Sequence, residues 1–147
     1  SYANPLAQIR MSVPGETAND PERGISSSRH KPWGGGLQSL DWVPLENSLQ
    51  WQAFQRLVGQ LQARGNDLYV VVGPLNQHKL TEANRGRFLE LENGAAMWLE
   101  ENRIQHWIAD TLPSGSYADA SHPLTRGYRE LAEKMLDQES FTEWIAH

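Results

Sequence analysis

Cysteine is absent from this chain, and that excludes disulfides, zinc–thiolate sites and thiol catalysis together. A cysteine-free chain is stable in oxidising and reducing surroundings alike, so the compartment stays open. Long hydrophobic runs are missing too. No apolar stretch approaches the length of a membrane span, and no secretory leader follows Ser1. Positive charge is not in excess either. The 13 Lys and Arg stand against 18 Asp and Glu, a formal net charge of −5, the opposite of the basic footprint of a nucleic-acid binder. No pair of histidines has the spacing of a helical metal site, so neither a metal nor another cofactor is expected.

What is present suits one domain. The 147 residues are 39% hydrophobic, enough for a single core and too few for two comfortable ones. Residues 1–46 are rich in Pro, Gly, Ser and Asn and show no apolar period. They read as mostly irregular, with one short helix or strand near Ala7 to Val13. Asn19-Asp20-Pro21 and Gly34-Gly35-Gly36 are turn signals.

From Asn47 the pattern is regular. Trp51, Phe54, Leu57, Val58 and Leu61 recur at helical spacing, with Asn47 or Ser48 as N-cap and Gly65 as the stop signal. Leu68-Tyr69-Val70-Val71-Val72 predicts a strand buried on both faces, as in a parallel sheet, ended by Pro74 and Asn76. A second helix starts near Thr81 and carries Phe88, Leu91, Ala95, Trp98 and Leu99 on its apolar stripe. Ile104 to Ile108 predicts a second strand. A last helix has Pro123 in its first turn and buries Leu124, Tyr128, Leu131 and Met135.

Helix, strand, helix, strand, helix predicts an α/β fold with a parallel sheet. Two strands make a poor sheet. Further strands are therefore expected from residues 1–46, from a preceding segment or from a partner copy in a homo-oligomer.

In an open α/β sheet, ligands sit beyond the carboxyl ends of the strands. Two loops fall there: Gly73 to His78, and the loop holding Asp119 and His122. A carboxylate three residues before an imidazole, just ahead of a helix, lets both turn to one pocket. The acid then fixes one ring nitrogen and leaves the other free as a general base. The structural alternative is helix capping, with the acid favouring the helix dipole.

Asp119-Ala-Ser-His122-Pro-Leu-Thr-Arg-Gly127-Tyr128-Arg-Glu-Leu131-Ala132 resembles the last sequence block of the SGNH (GDSL-type) hydrolases. The stretch Trp51 to Leu61, Arg64-Gly65-Asn66-Asp67 and Tyr69 to Pro74 is similar to the helix, turn and strand before that block. The resemblance spans about residues 47–137 and implies a flavodoxin-like three-layer α/β/α fold with a parallel sheet. It also implies serine-hydrolase chemistry on a small ester or acylated carbohydrate. His122 would be the base and Asp119 the orienting acid, in a triad whose oxyanion hole is a Gly N–H and an Asn side chain. An acyltransferase-like domain shares the same pair, and a non-catalytic α/β binding or assembly domain is the further alternative.

The nucleophile departs from the family. There is no Gly-Asp-Ser; Gly24-Ile25-Ser26 keeps the spacing without the acid, so Ser26 is the candidate, beside Ser27 and Ser28. Asn76 and Gly36 are candidates for the oxyanion hole. His78 lies in the candidate loop, and Trp33 sits beside glycines that let a ligand approach the backbone.

Overall fold

The computed structural model describes residues 36–147, so the segment near Ala7 to Val13, Ser26 to Ser28 and Trp33 lie outside the described residues. Among the described residues the first α-helix is α1, Leu49–Ala63. Ser48 caps it, its hydroxyl accepting from the Trp51 N–H at 3.2 Å. At its far end Gly65 takes φ +78°. There the Gly65 N–H donates to Gln62 O at 2.9 Å and the Asn66 N–H to Leu61 O at 3.1 Å. This doubly bonded ending needs a left-handed residue, which is why glycine stands there. Arg64 to Asp67 is thus a turn between helix and strand.

The chain enters β1, Tyr69–Val72, then α2, Glu82–Glu101, then β2, Gln105–Ile108. Thr81 caps α2 by accepting from the Asn84 N–H at 3.4 Å. The two strands pair in parallel, Tyr69 with Gln105 through Val72 with Ile108, a mixed α/β arrangement around a small sheet. Val58, Leu99 and Ile104 form the buried centre, with Phe54, Leu68, Val70, Val72 and Trp98 packed on it. Full burial of Leu99 contributes about 1.5–3 kcal/mol. Trp51 meets Trp98 of this core edge to face, centroids 5.4 Å apart. Gln55 Oε1 accepts from both indole N–H groups, at 3.1 and 2.9 Å.

Two expectations are corrected on the strand and the helix before it. Val71 is 43% exposed, so β1 is not buried on both faces. Its second face is covered at Tyr69, against Phe141 and Trp144, and left open one residue pair further on. Leu57, read as part of the α1 stripe, is also exposed.

The C-terminal region holds two helices rather than one: α3, Thr125–Leu136, and α4, Glu139–Ile145. Pro123 lies outside α3, bridged antiparallel to Tyr117, and Leu124 is the N-cap. That bridge extends the backbone where a first helical turn was expected. Tyr128 is exposed, so the inner face of α3 is narrower than its spacing predicts. Gly127 is buried there instead. A Cβ at Gly127 would stand 2.5 Å from Ser116 O, so a side chain is excluded by the turn beneath.

Ahead of α1, a strap over residues 37–42 runs beside the start of α2. Gln38 N–H donates to Lys79 O at 2.6 Å, and Thr81 N–H to Gln38 O at 3.0 Å. Buried Asn84 secures it: its Oδ1 accepts from Leu40 N–H at 2.9 Å and Trp42 Nε1–H at 2.8 Å, and its Nδ2 donates to Leu40 O at 2.8 Å. Among the described residues no helix is long and apolar enough to cross a membrane.

Candidate functional site

Both candidate loops leave the carboxyl ends of the paired strands, and they meet. Leu75 O accepts from Thr111 Oγ1 at 3.0 Å and from the Tyr117 hydroxyl at 3.3 Å. The Tyr117 hydroxyl itself accepts from Leu112 N–H at 3.0 Å. Burial, partly offset by the Leu112 hydrogen bond, pushes the Tyr117 phenol above its ordinary value, so it stays a donor. One residue on, Asn76 N–H donates to Ala120 O at 2.8 Å. Its side chain, only 2% exposed, directs Nδ2 to Asp119 O at 3.4 Å.

On this base sits the Asp119–His122 pair. His122 Nδ1 is 2.8 Å from Asp119 Oδ2 and 2.9 Å from Oδ1. An ionised carboxylate only accepts, so Nδ1 carries the proton and Nε2 of the neutral ring is left as a base. Among the described residues no hydrogen bond reaches His122 Nε2. The His122 side chain is 70% exposed and that of Asp119 47%, so the free nitrogen stands open to an incoming group.

Asp119 is held from three further directions. Its Oδ1 accepts from the backbone N–H of Ser121 and of His122, each at 2.8 Å, and from the Ser121 hydroxyl at 3.3 Å. Desolvation raises the carboxyl pKa, but the Ser121 N–H, the His122 side chain and the His122 N–H outweigh it and hold the group below its ordinary value. The pair therefore presents an ionised acid to a ring in one tautomer. Ser121 is not placed as a nucleophile for this ring. Its Oγ lies 3.1 Å from Nδ1, on the nitrogen already given to the acid.

The other candidates divide. Asn76 joins the site from below. His78 is exposed and its Nε2–H donates to Leu112 O at 3.2 Å, tying the two loops at their flank. Gly36 is exposed at the head of the strap, with no atom within 4 Å of where its Cβ would be. His106 donates from Nδ1 to Ile104 O at 2.9 Å within the strand region, a structural bond. A cleft of about 500 Å³ lies elsewhere, lined by Leu45, Trp51, Gln55, Met97, Trp98 and Glu101 among others. None of the described candidate residues lines it. Among the described residues no cluster of His, Asp and Glu could hold a metal ion.

Sequence reasoning missed Thr111, Tyr117 and Ser121. Only Ser121 left a signal, as a hydroxyl between the acid and the base. Thr111 and Tyr117 act through a carbonyl 36 and 42 residues away, which no local pattern reveals. Comparison with family models, with curated proteins and with solved structures finds no match.

Proposed function

We propose that this chain carries the acid–base half of a serine-hydrolase site of the SGNH type, acting on a small ester or an acylated carbohydrate. The observation that carries the reading is the Asp119–His122 pair: a carboxylate 2.8 Å from Nδ1, with Nε2 open at the carboxyl edge of a parallel strand pair. Elements on both faces of β1 and β2 support a flavodoxin-like three-layer arrangement, of which the described residues are a part. His122 Nε2 takes the proton from a serine hydroxyl as its oxygen attacks the ester carbonyl. The protonated ring, steadied by Asp119, returns that proton to the departing alcohol oxygen as the acyl–serine forms. Water then repeats the sequence and frees the acid. Ser26 is the nucleophile candidate within the chain, and Gly36 N–H a candidate donor to the oxyanion. An acyltransferase uses the same steps with a sugar hydroxyl in place of water.

The test compares p-nitrophenyl acetate turnover by this chain, by His122→Ala and by Asp119→Asn. A fluorophosphonate probe with peptide mapping locates the reacting serine. Turnover and labelling that depend on His122 support the reading. Equal turnover in the chain and in His122→Ala would sink it. One observation favours a second reading, a non-catalytic binding or assembly domain: Asp119 Oδ1 also bonds its own turn through the Ser121 and His122 N–H groups. That is a sufficient reason for an acid there without catalysis.

A further inference from the structure

Asn76 combines three properties that packing alone does not require. It is almost fully buried, at 2% exposure. Its two donors go to consecutive carbonyls of the site loop, the backbone N–H to Ala120 O at 2.8 Å and Nδ2 to Asp119 O at 3.4 Å. Among the described residues its side-chain Oδ1 is buried without a hydrogen-bond partner. A buried acceptor without a partner in the protein costs free energy, whereas an apolar side chain at the same place would not. Leucine branches at the same carbon and would fill the space without that cost. The amide is therefore retained for what its donor does.

We infer that Asn76 is a positioning residue for the Asp119–His122 pair, acting from beneath the loop rather than on a substrate. The two donors hold the consecutive peptide units Asp119–Ala120 and Ala120–Ser121, and so set the height and tilt of the backbone that carries Asp119. The carboxylate that holds His122 Nδ1 leaves from that backbone. The neighbouring Leu75 carbonyl, bonded by Thr111 and Tyr117, keeps the grip from sliding along the loop. Asn76 is in turn anchored through its own carbonyl, which accepts from Lys79 N–H at 3.0 Å. The catalytic consequence rests on the hydrolase reading; the positioning of the imidazole does not.

The experiment uses the full chain with Asn76→Leu and Asn76→Asp. The readouts are the His122 tautomer by long-range nitrogen–proton NMR, thermal unfolding, and p-nitrophenyl acetate turnover. Asn76→Leu is expected to melt at the same temperature as the parent or higher, because the unpaired acceptor is gone. It is also expected to lose the predominance of the Nδ1–H tautomer, because Asp119 O has lost its side-chain donor. Turnover then falls by about a hundredfold, the scale of a misplaced catalytic group. Asn76→Asp sets oxygen against the Asp119 carbonyl and is expected to lose the same tautomer with a lower melting temperature. A parental His122 spectrum in Asn76→Leu overturns the inference. So does failure of Asn76→Leu to fold, since that assigns the amide to the fold. If the parent shows no turnover, the hydrolase reading fails, while the tautomer spectra still decide the role of Asn76.

Discussion

Helical glycines in this chain should respond to alanine with opposite signs, and Gly127 is the decisive one. An added Cβ would lie 2.5 Å from Ser116 O, 3.0 Å from Pro123 Cβ and 3.3 Å from Leu112 Cδ1. A carbon–oxygen contact is comfortable only near about 3.3–3.6 Å, so the Ser116 carbonyl must move by most of an ångström. That carbonyl also accepts from Leu124 N–H at 2.8 Å, the bond that starts α3. Overpacking of this kind costs about 1–3 kcal/mol, and a strained hydrogen bond about 1 kcal/mol more. The better helix propensity of alanine returns about 1 kcal/mol. The expected net for Gly127→Ala is a loss of about 1–3 kcal/mol. Gly59 and Gly86 sit in α1 and α2 with no atom within 4 Å of the added carbon. Alanine there should stabilise by up to about 1 kcal/mol each. Urea unfolding followed by tryptophan fluorescence reads all three. With a slope of about 2 kcal/mol per molar, Gly127→Ala should move the midpoint down by about 0.5–1.5 M, and the other two should move it up. A midpoint for Gly127→Ala that rises with the controls would refute the close approach of α3 to the turn beneath it.

Three further outcomes follow from the same contacts. Asn84→Ala leaves Leu40 N–H, Leu40 O and the Trp42 indole N–H without their partner. It should cost about 2–3 kcal/mol in urea unfolding, with a red-shifted Trp42 emission. Asp119 has a lowered pKa, so the stability it contributes is fully present above the unfolded value of about 3.9 and is lost as pH falls through the folded value. The gap in unfolding midpoint between the parent and Asp119→Asn should hold steady above about pH 5 and close in acid; a gap independent of pH would contradict this. Asp119→Asn should also abolish the single Nδ1–H tautomer of His122, seen directly by nitrogen NMR, because an amide can donate as well as accept.

Legibility followed locality. Ser48, Gly65 and Thr81 were readable because capping is a contract between residues two to four apart. The Asp119–His122 contact was readable for the same reason, its partners being three residues apart. The two strands announced themselves through β-branched and aromatic runs. What escaped was set by distant partners. The helix Glu139–Ile145 is short, and Phe141 and Trp144 acquire a purpose only against Tyr69, on another element. Pro123 looked like a helix starter but is held extended by its bridge to Tyr117. Val71 belongs to an apolar run, yet whether it is covered depends on how many elements reach its face. Asn84 and Asn76 offered only the spelling of turns or helix interiors, while their roles depend on backbone that is remote in sequence.

The strap at Gln38 has a mechanical meaning. It runs parallel to the segment at Leu80, so a pull along the chain from upstream of Gly36 loads its two backbone bonds in shear, together rather than one after the other. The load enters at Lys79 and Thr81, and Lys79 is one hydrogen bond from the Asn76 carbonyl. The strap, Lys79 and the residue beneath Asp119 are thus joined by consecutive backbone hydrogen bonds, and a displacement of Gln38 is shared with the loop that carries the acid.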